Sequence, residues 1–372
     1  MVRLREFIKP CGFVFAAIWF ASEAVLSAGA AEPIPIGHTE VVAKITAAMP
    51  AGIALDNESR IYLSFPNWGG RVPPFALARL EDGGRLTAFP SASGARYDET
   101  KPNDLVSVLG IRMDQAGLLW VLDNARPRFK PAPPGAIKLL AFDSRTGREA
   151  HRHVFPDAVA SLNRSFLNDL VIDEAADAIY ISDMSTDGRG AIVVYDRSRR
   201  EAWRVLDGHQ ALAAEPTAIF IERRQVPLNG GIDGIALSPD GSYLYWKALA
   251  GRSLYRIRTE FLRNRQLADS SRSAAVEKLG DAPITDGMLT DADGNVYFTA
   301  LEQSAVIMRR PSGDYDILSS DRNIVWPDSM AFDRNGWLYL VSNQINRMPL
   351  FNAGKDMRRP PYYVLRIRRG QP

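Results

Sequence analysis

Asp233-Gly-Ile-Ala-Leu-Ser-Pro-Asp-Gly-Ser-Tyr-Leu-Tyr-Trp246 reads as one strand, a tight turn and a second strand. Its apolar side chains follow the two-residue period of a strand, not the 3.6-residue period of a helix. Asp240-Gly241 is a hairpin signal, because Gly adopts positive φ without steric cost. The phrase recurs along the chain. Earlier copies are Ala51-Gly-Ile-Ala-Leu-Asp56 with Arg60-Ile-Tyr-Leu-Ser64, Leu109-Gly-Ile-Arg-Met-Asp114 with Leu118-Leu-Trp-Val-Leu122, and Asn168-Asp-Leu-Val-Ile-Asp173 with Ala178-Ile-Tyr-Ile-Ser182. Later copies are Asp286-Gly-Met-Leu-Thr-Asp291 with Asn295-Val-Tyr-Phe-Thr299, and Asp328-Ser-Met-Ala-Phe-Asp333 with Trp337-Leu-Tyr-Leu-Val341. Units spaced by roughly 45–65 residues mark a repeat architecture. With about four strands to a unit they read as propeller blades. The expected fold is all-β, a six-bladed β-propeller, with any site on the central axis.

The 372-residue chain is 46% hydrophobic and 24% charged, which is ordinary globular composition with enough apolar residues for a large core. A formal net charge of +2 leaves no clustered basic face of the kind nucleic acid requires. Residues 1–30 combine a basic start (Arg3, Arg5, Lys9), the apolar run Gly12–Ala21 and the small-residue site Ala28-Gly-Ala30, the layout of a secretory signal peptide. The mature chain, residues 31–372, is expected to be one domain without a membrane span, secreted or periplasmic. The single cysteine, Cys11, falls in that leader, so neither a disulfide, a thiol nucleophile nor a thiolate metal site is expected in the mature chain. Val41–Ile45 and Tyr363–Ile367 read as strands that join the first and last blades. Thr259 is positioned to cap a short helix over Arg258–Leu262. The stretches Asn124–Pro134 and Asn343–Pro361 are longer than hairpins need, and loops of that length are functional or disordered.

Acidic residues fall into two sets. Asp56, Asp114, Asp173, Asp291 and Asp333 close the first strand of a copy, where Asp side chains accept hydrogen bonds from the turn. Asn168, Asp169, Asp233, Asp286 and Asp328 open it. The innermost strands of a propeller line its channel, so these residues converge at one mouth. Oxygen ligands gathered there suit a hard cation, Ca²⁺ or Mg²⁺. The other reading is that each bonds the backbone of the next blade or sits solvated in a wet channel. Trp68 and Trp326 lie beside loops, and Trp326-Pro327 precedes Asp328. A ring next to a carboxylate makes a binding surface for an amine or a planar ligand. Trp68, Asp169 and Trp326 are therefore expected ligand contacts, with plain packing between blades the other reading of Trp68. Trp120, Trp246 and Trp337 read as core. His151-Arg-His153 reads as a solvated strand edge rather than a metal pair. A Gly-rich phosphate loop and a nucleophile elbow are both missing from the sequence.

The wording of the copies resembles the major royal jelly protein/Yellow family. Arg60-Ile-Tyr-Leu-Ser-Phe-Pro-Asn-Trp68 with Pro73–Leu80, Ser107–Asp114 with Leu119–Asp123, and Asn168-Asp-Leu-Val with Tyr180–Asp183, Ile192–Asp196 and Trp203-Arg-Val carry the likeness. Asp233–Gly241 with Leu254–Thr259 is the most specific block. The chain departs from insect members at Ala116, where a cysteine is usual. The resemblance implies a secreted six-bladed propeller with a small-molecule pocket on its axis, taking an amine, catechol, sterol or sugar derivative. Dopachrome conversion is among the activities of similar proteins. More distantly the chain is similar to gluconolactonase-like and senescence-marker-like propellers. That likeness implies the alternative of a metal-dependent lactonase, with Asn168, Asp233 and Asp286 holding a divalent ion and Asp233 or Asp328 acting as general base. A third reading is a protein-interaction platform, which predicts a sealed channel and a large apolar outer patch.

Overall fold

The innermost strand of each of six sheets is short and largely buried: Ile53–Leu55, Val108–Met113, Leu167–Asp173, Ile232–Leu237, Thr285–Thr290 and Trp326–Phe332. In a computed structural model, which describes residues 35–69, 72–91 and 93–369, each of these strands starts a four-stranded antiparallel sheet. Five sheets run in chain order. In the sixth, Trp326–Phe332 and Leu338–Asn343 are followed by Tyr362–Arg369, and the N-terminal strand Gly37–Ile45 pairs antiparallel along it as the outermost member. The last blade is thus closed by the first strand, as the sequence predicts, which removes the open edge a ring cannot leave. The leader at residues 1–30 lies outside the described residues.

Burial follows position in the blade. The second strand of the third blade, Ala178–Asp183, is buried throughout, whereas its fourth, Glu201–Val205, is exposed or half-buried except at Val205. Strands covered on both faces lose their alternation, so the continuous apolar runs of the sequence mark the middle of each blade. Apolar clusters fill the wedges between blades; one packs Tyr180, Ile192 and Val194 of the third blade against Leu244, Trp246 and Ile257 of the fourth.

The acids that close the first strands are structural. Asp56 accepts from the Arg60 N–H at 2.9 Å and from the Tyr62 hydroxyl at 3.1 Å. Asp114 accepts from the Leu118 N–H and from Trp120 Nε1, both at 2.8 Å. Asp173 and Asp291 likewise accept from turn N–H groups and from Tyr180 and Tyr297. Each ties a turn to the aromatic residue of the next strand. The short helix spans Thr259–Arg263; Arg258 holds the cap position, and the Thr259 hydroxyl donates to the Gly241 carbonyl at 2.7 Å.

Neighbouring inner strands approach closely at the second residue of four of the six repeats, while Asp169 and Ser329 hold that place in the other two. A Cβ built on Gly52 would stand 2.7 Å from the Leu109 carbonyl oxygen, one on Gly110 2.6 Å from that of Asn168, one on Gly234 2.5 Å from that of Asp286, and one on Gly287 2.2 Å from that of Asp328. These are backbone atoms that cannot swing aside. Gly287→Ala is expected to lower stability by about 1–3 kcal/mol through overpacking, read as a shifted midpoint in chemical denaturation. An unchanged midpoint would refute the steric account.

Candidate functional site on the propeller axis

Five of the six inner strands lose register with their partner near the start: between Val108 and Ile111, Leu167 and Leu170, Ile232 and Ile235, Thr285 and Met288, and Pro327 and Met330. Such irregularities re-aim side chains. Here they bring Leu109, Asn168, Asp233, Asp286 and Asp328, joined by Ala51 of the regular first blade, around an axial cavity of about 20 Å³. That is room for one water-sized group.

Each carboxylate is tied by one oxygen. Asn168 Nδ2 donates to Asp233 Oδ1. Trp326 Nε1 donates to Asp286 Oδ2 at 2.6 Å, and Asn343 Nδ2 to Asp328 Oδ2 at 2.8 Å. Among the described residues no donor reaches the second oxygen of Asp233, Asp286 or Asp328. Burial pushes the Asp233 carboxyl well above the ordinary range, and the charges of Asp286, Asp328 and Asp169 push it further, against the Asn168 bond. Burial raises Asp286 to about 7, opposed by the Trp326 bond. Asp328 is raised by burial and then by the charge of Asp286. Near neutral pH, then, the ring holds protons that a bound cation would displace.

Above this floor opens a funnel of about 320 Å³. Asn168, Asp233, Asp286 and Asp328 form its base, and Trp68, Phe129, Phe166, Leu249, Trp326 and Phe351 are among its walls. Trp326 is buried in the rim cluster with Leu249, Ile284 and Leu301. Trp68 stacks on Phe129 and Phe129 on Phe166, with centroids 6.4 and 6.1 Å apart. The long loops Asn124–Pro134 and Asn343–Pro361 contribute Phe129 on one side and Ile345, Met348, Leu350 and Phe351 on the other.

The structure therefore gathers Asn168, Asp233, Asp286, Asp328, Trp68 and Trp326 at one place. Asp169 differs: it borders the small cavity, but its carboxylate turns to Arg112, whose Nη2 donates to it at 2.9 Å. Arg112 also donates from Nε to the Leu170 carbonyl and from Nη1 to the Met330 carbonyl, joining blades two, three and six. It lines a separate cavity of about 430 Å³ with Leu55, Val171, Ala236 and Leu289. Sequence reasoning missed Arg112, though a signal was there. It follows Gly110-Ile111 in a column where the other copies carry Ala54, Val171, Ala236, Leu289 and Ala331. The histidine pair is half-buried rather than solvated: His151 Nε2 lies 2.6 Å from the Tyr195 hydroxyl, and burial lowers His151 to about 4.

As a metal seat, the ring offers the Asn168 amide with carboxylate oxygens of Asp233 and Asp286, oxygen donors of the kind a hard cation takes. Among the described residues no three His, Cys, Asp or Glu side chains lie close enough to chelate an ion by themselves. The amide is therefore part of any such seat.

The family model for major royal jelly protein matches residues 106–368. Major royal jelly protein 3 of Apis mellifera is 28% identical over 197 residues, 50% of this chain and 34% of that protein. Protein yellow of Drosophila erecta is 23% identical over 330 residues, 82% of this chain and 59% of that protein. The matches thus span between a third and three fifths of these relatives' length. Among solved structures, a gluconolactonase from Xanthomonas campestris superposes with a TM-score of 0.55 at 13% identity, covering 89% of this chain and 90% of that one. A luciferin-regenerating enzyme superposes with a TM-score of 0.56 at 14% identity, covering 89% and 95%. At such identities the likeness is one of fold.

The raised carboxyls carry a stability signature. Asp286, near 7 in the folded protein against an ordinary 3.8, stabilises the fold at low pH, and that contribution is lost as pH rises through 7. Buried histidines act in the opposite sense below their ordinary value of 6.5. The clean measure is therefore the difference between Asp286→Asn and the unmodified protein. The variant should gain relative stability from pH 5 to pH 8, by up to about 2.5 kcal/mol, almost all of it below pH 7. A difference that stays flat with pH would exclude proton retention at the ring.

Proposed function

The chain belongs to the major royal jelly protein family, and from that premise we propose that it is an exported protein that binds a small organic cation, an amine with an apolar body, in its axial funnel. One observation carries the reading: an apolar funnel ends on three carboxylates, each with an oxygen that no described donor fills. A protonated amine meets that floor with hydrogen bonds and charge, while its body is buried against Trp68, Phe129 and Phe166. A catechol or a sterol has no charge to offset the ring, and a sugar derivative would leave the apolar walls unmatched. The open funnel also favours ligand binding over use of the propeller purely as a protein-interaction platform. Export rests on the leader at residues 1–30; among the described residues no helix is long and apolar enough to cross a membrane.

The same oxygens support a second reading. Asn168, Asp233 and Asp286 would hold a divalent ion, Ca²⁺ or Mg²⁺, and such an ion polarises a lactone carbonyl and acidifies water. Asp328, raised by burial and held by Asn343, is then the group suited to take a proton from an incoming water.

Calorimetry with 2-phenylethylamine, a catechol, a sterol, a sugar lactone and calcium chloride separates these readings. The amine should bind, and its affinity should rise by about tenfold per pH unit from pH 5 to pH 7 where one proton is displaced. Asp286→Asn should weaken the amine and flatten that slope. Heat from calcium and the lactone alone would replace the amine reading with the hydrolase. Silence in every class would remove both.

A further inference from the structure

Two residues of the funnel wall, Trp68 and Phe129, come from different loops, and nothing in their own side chains fixes their relation. Trp68 Nε1 is shut from solvent and donates to no described residue, unlike Trp326, whose indole is held by Asp286. Phe129 is 37% exposed, and both it and Arg128 sit at positive φ, 58° and 54°. Non-glycine residues stay in that region only where the surroundings hold them.

Glu99 bonds to both loops. Its carboxylate takes both Arg128 terminal nitrogens in a bidentate pair at 2.5 Å, and Oε1 also accepts from Asn67 Nδ2 at 3.0 Å. The Arg128 N–H donates to the Asn67 carbonyl at 2.6 Å. Glu99 therefore clamps the residue just before Trp68 to the residue just before Phe129. With the two backbones locked together, the rings lie parallel within 7°. Trp68 has a further place in the fold. It also borders a side cleft of about 220 Å³ formed with Met49, Pro66, Arg358 and Tyr362, so its ring belongs to the walls of both cavities.

We propose that Glu99 is a positioning residue that, through Asn67 and Arg128, holds the Trp68–Phe129 pair as a fixed partition and so sets the size of ligand the funnel accepts. This rests on the funnel being the binding site. With the clamp intact, a ligand must fit the funnel alone. With the clamp released, Phe129 leaves its constrained backbone state, Trp68 loses its stacking partner, and the side cleft becomes available to a bulkier body. Glu99 itself touches no ligand.

The test uses the full mature chain and two amines with one headgroup, 2-phenylethylamine and 2,2-diphenylethylamine. Glu99→Gln, Arg128→Ala and the double variant are compared with the unmodified protein by calorimetry. Near-UV circular dichroism is recorded against Trp68→Phe to isolate the Trp68 band. The unmodified protein should prefer the smaller amine, and either single variant should reduce that preference by about tenfold. The double variant should match the singles, because both remove one clamp. Glu99→Gln should also erase the Trp68 band with far-ultraviolet dichroism unchanged. An intact Trp68 band together with an unchanged preference would overturn the proposal, as would additive effects in the double variant. If the unmodified protein binds neither amine, the amine reading fails, and the Trp68 band alone then decides: lost in both single variants, Glu99 still positions the wall; retained, it does not.

Discussion

The close approach of the inner strands is the constraint on which this molecule rests. At the second residue of four of the six repeats, the carbonyl of the next blade occupies the space a Cβ would need. That requirement explains the glycines at positions 52, 110, 234 and 287, and it forces the residue before each of them towards the axis. A side chain at that position cannot retreat into its blade, because the strand loses register there and the neighbouring strand is in contact. Asp233 and Asp286 at such positions, with Asn168 and Asp328 at the start of the third and sixth copies, share one cavity of about 20 Å³. The acid ring is thus a consequence of ring closure at small radius, not of any local preference of Asp for strands, where it is disfavoured.

Gathering carboxylates in a confined space costs free energy, and the fold meets that cost in three ways. Fixed donors from Asn168, Trp326 and Asn343 each take one oxygen. Asp169 is withdrawn into an ion pair with Arg112. The remaining charge is reduced by retained protons, as the raised Asp233, Asp286 and Asp328 indicate. Residual mismatch of this kind, local strain against a well-packed scaffold, is where function is expected. The contrast is with Asp123 and Lys138, a fully buried pair in the second blade whose members satisfy each other and the surrounding backbone.

Legibility in the sequence followed the repeat. Blades, closing strands and the ring of Asn168, Asp233, Asp286 and Asp328 were readable because each is fixed by its place in a recurring phrase. Trp326 was readable because it adjoins that phrase. Asp169 was misplaced because two polar residues open the third copy, and only the register shift decides that Asn168 is the axial one. Arg112 was overlooked although the column it breaks is visible. Phe129, Leu350 and Phe351 had no signal beyond the length of two loops, since loop conformation depends on tertiary partners such as Glu99 and Glu222 that no local pattern identifies.

Floor and walls therefore answer to different rules. The floor is made by strand residues whose positions follow from ring geometry, so its charge can change only by substitution at a few axial sites. The walls are made by loops, which tolerate insertion and re-aiming without disturbing the blades. Propellers of one fold can accordingly differ widely in what they bind, and a superposition with a gluconolactonase at 13% identity speaks to the fold alone. The shape of the funnel is written in the loops around Trp68, Phe129 and Phe351, while the charge of its floor is written in the strands beneath them.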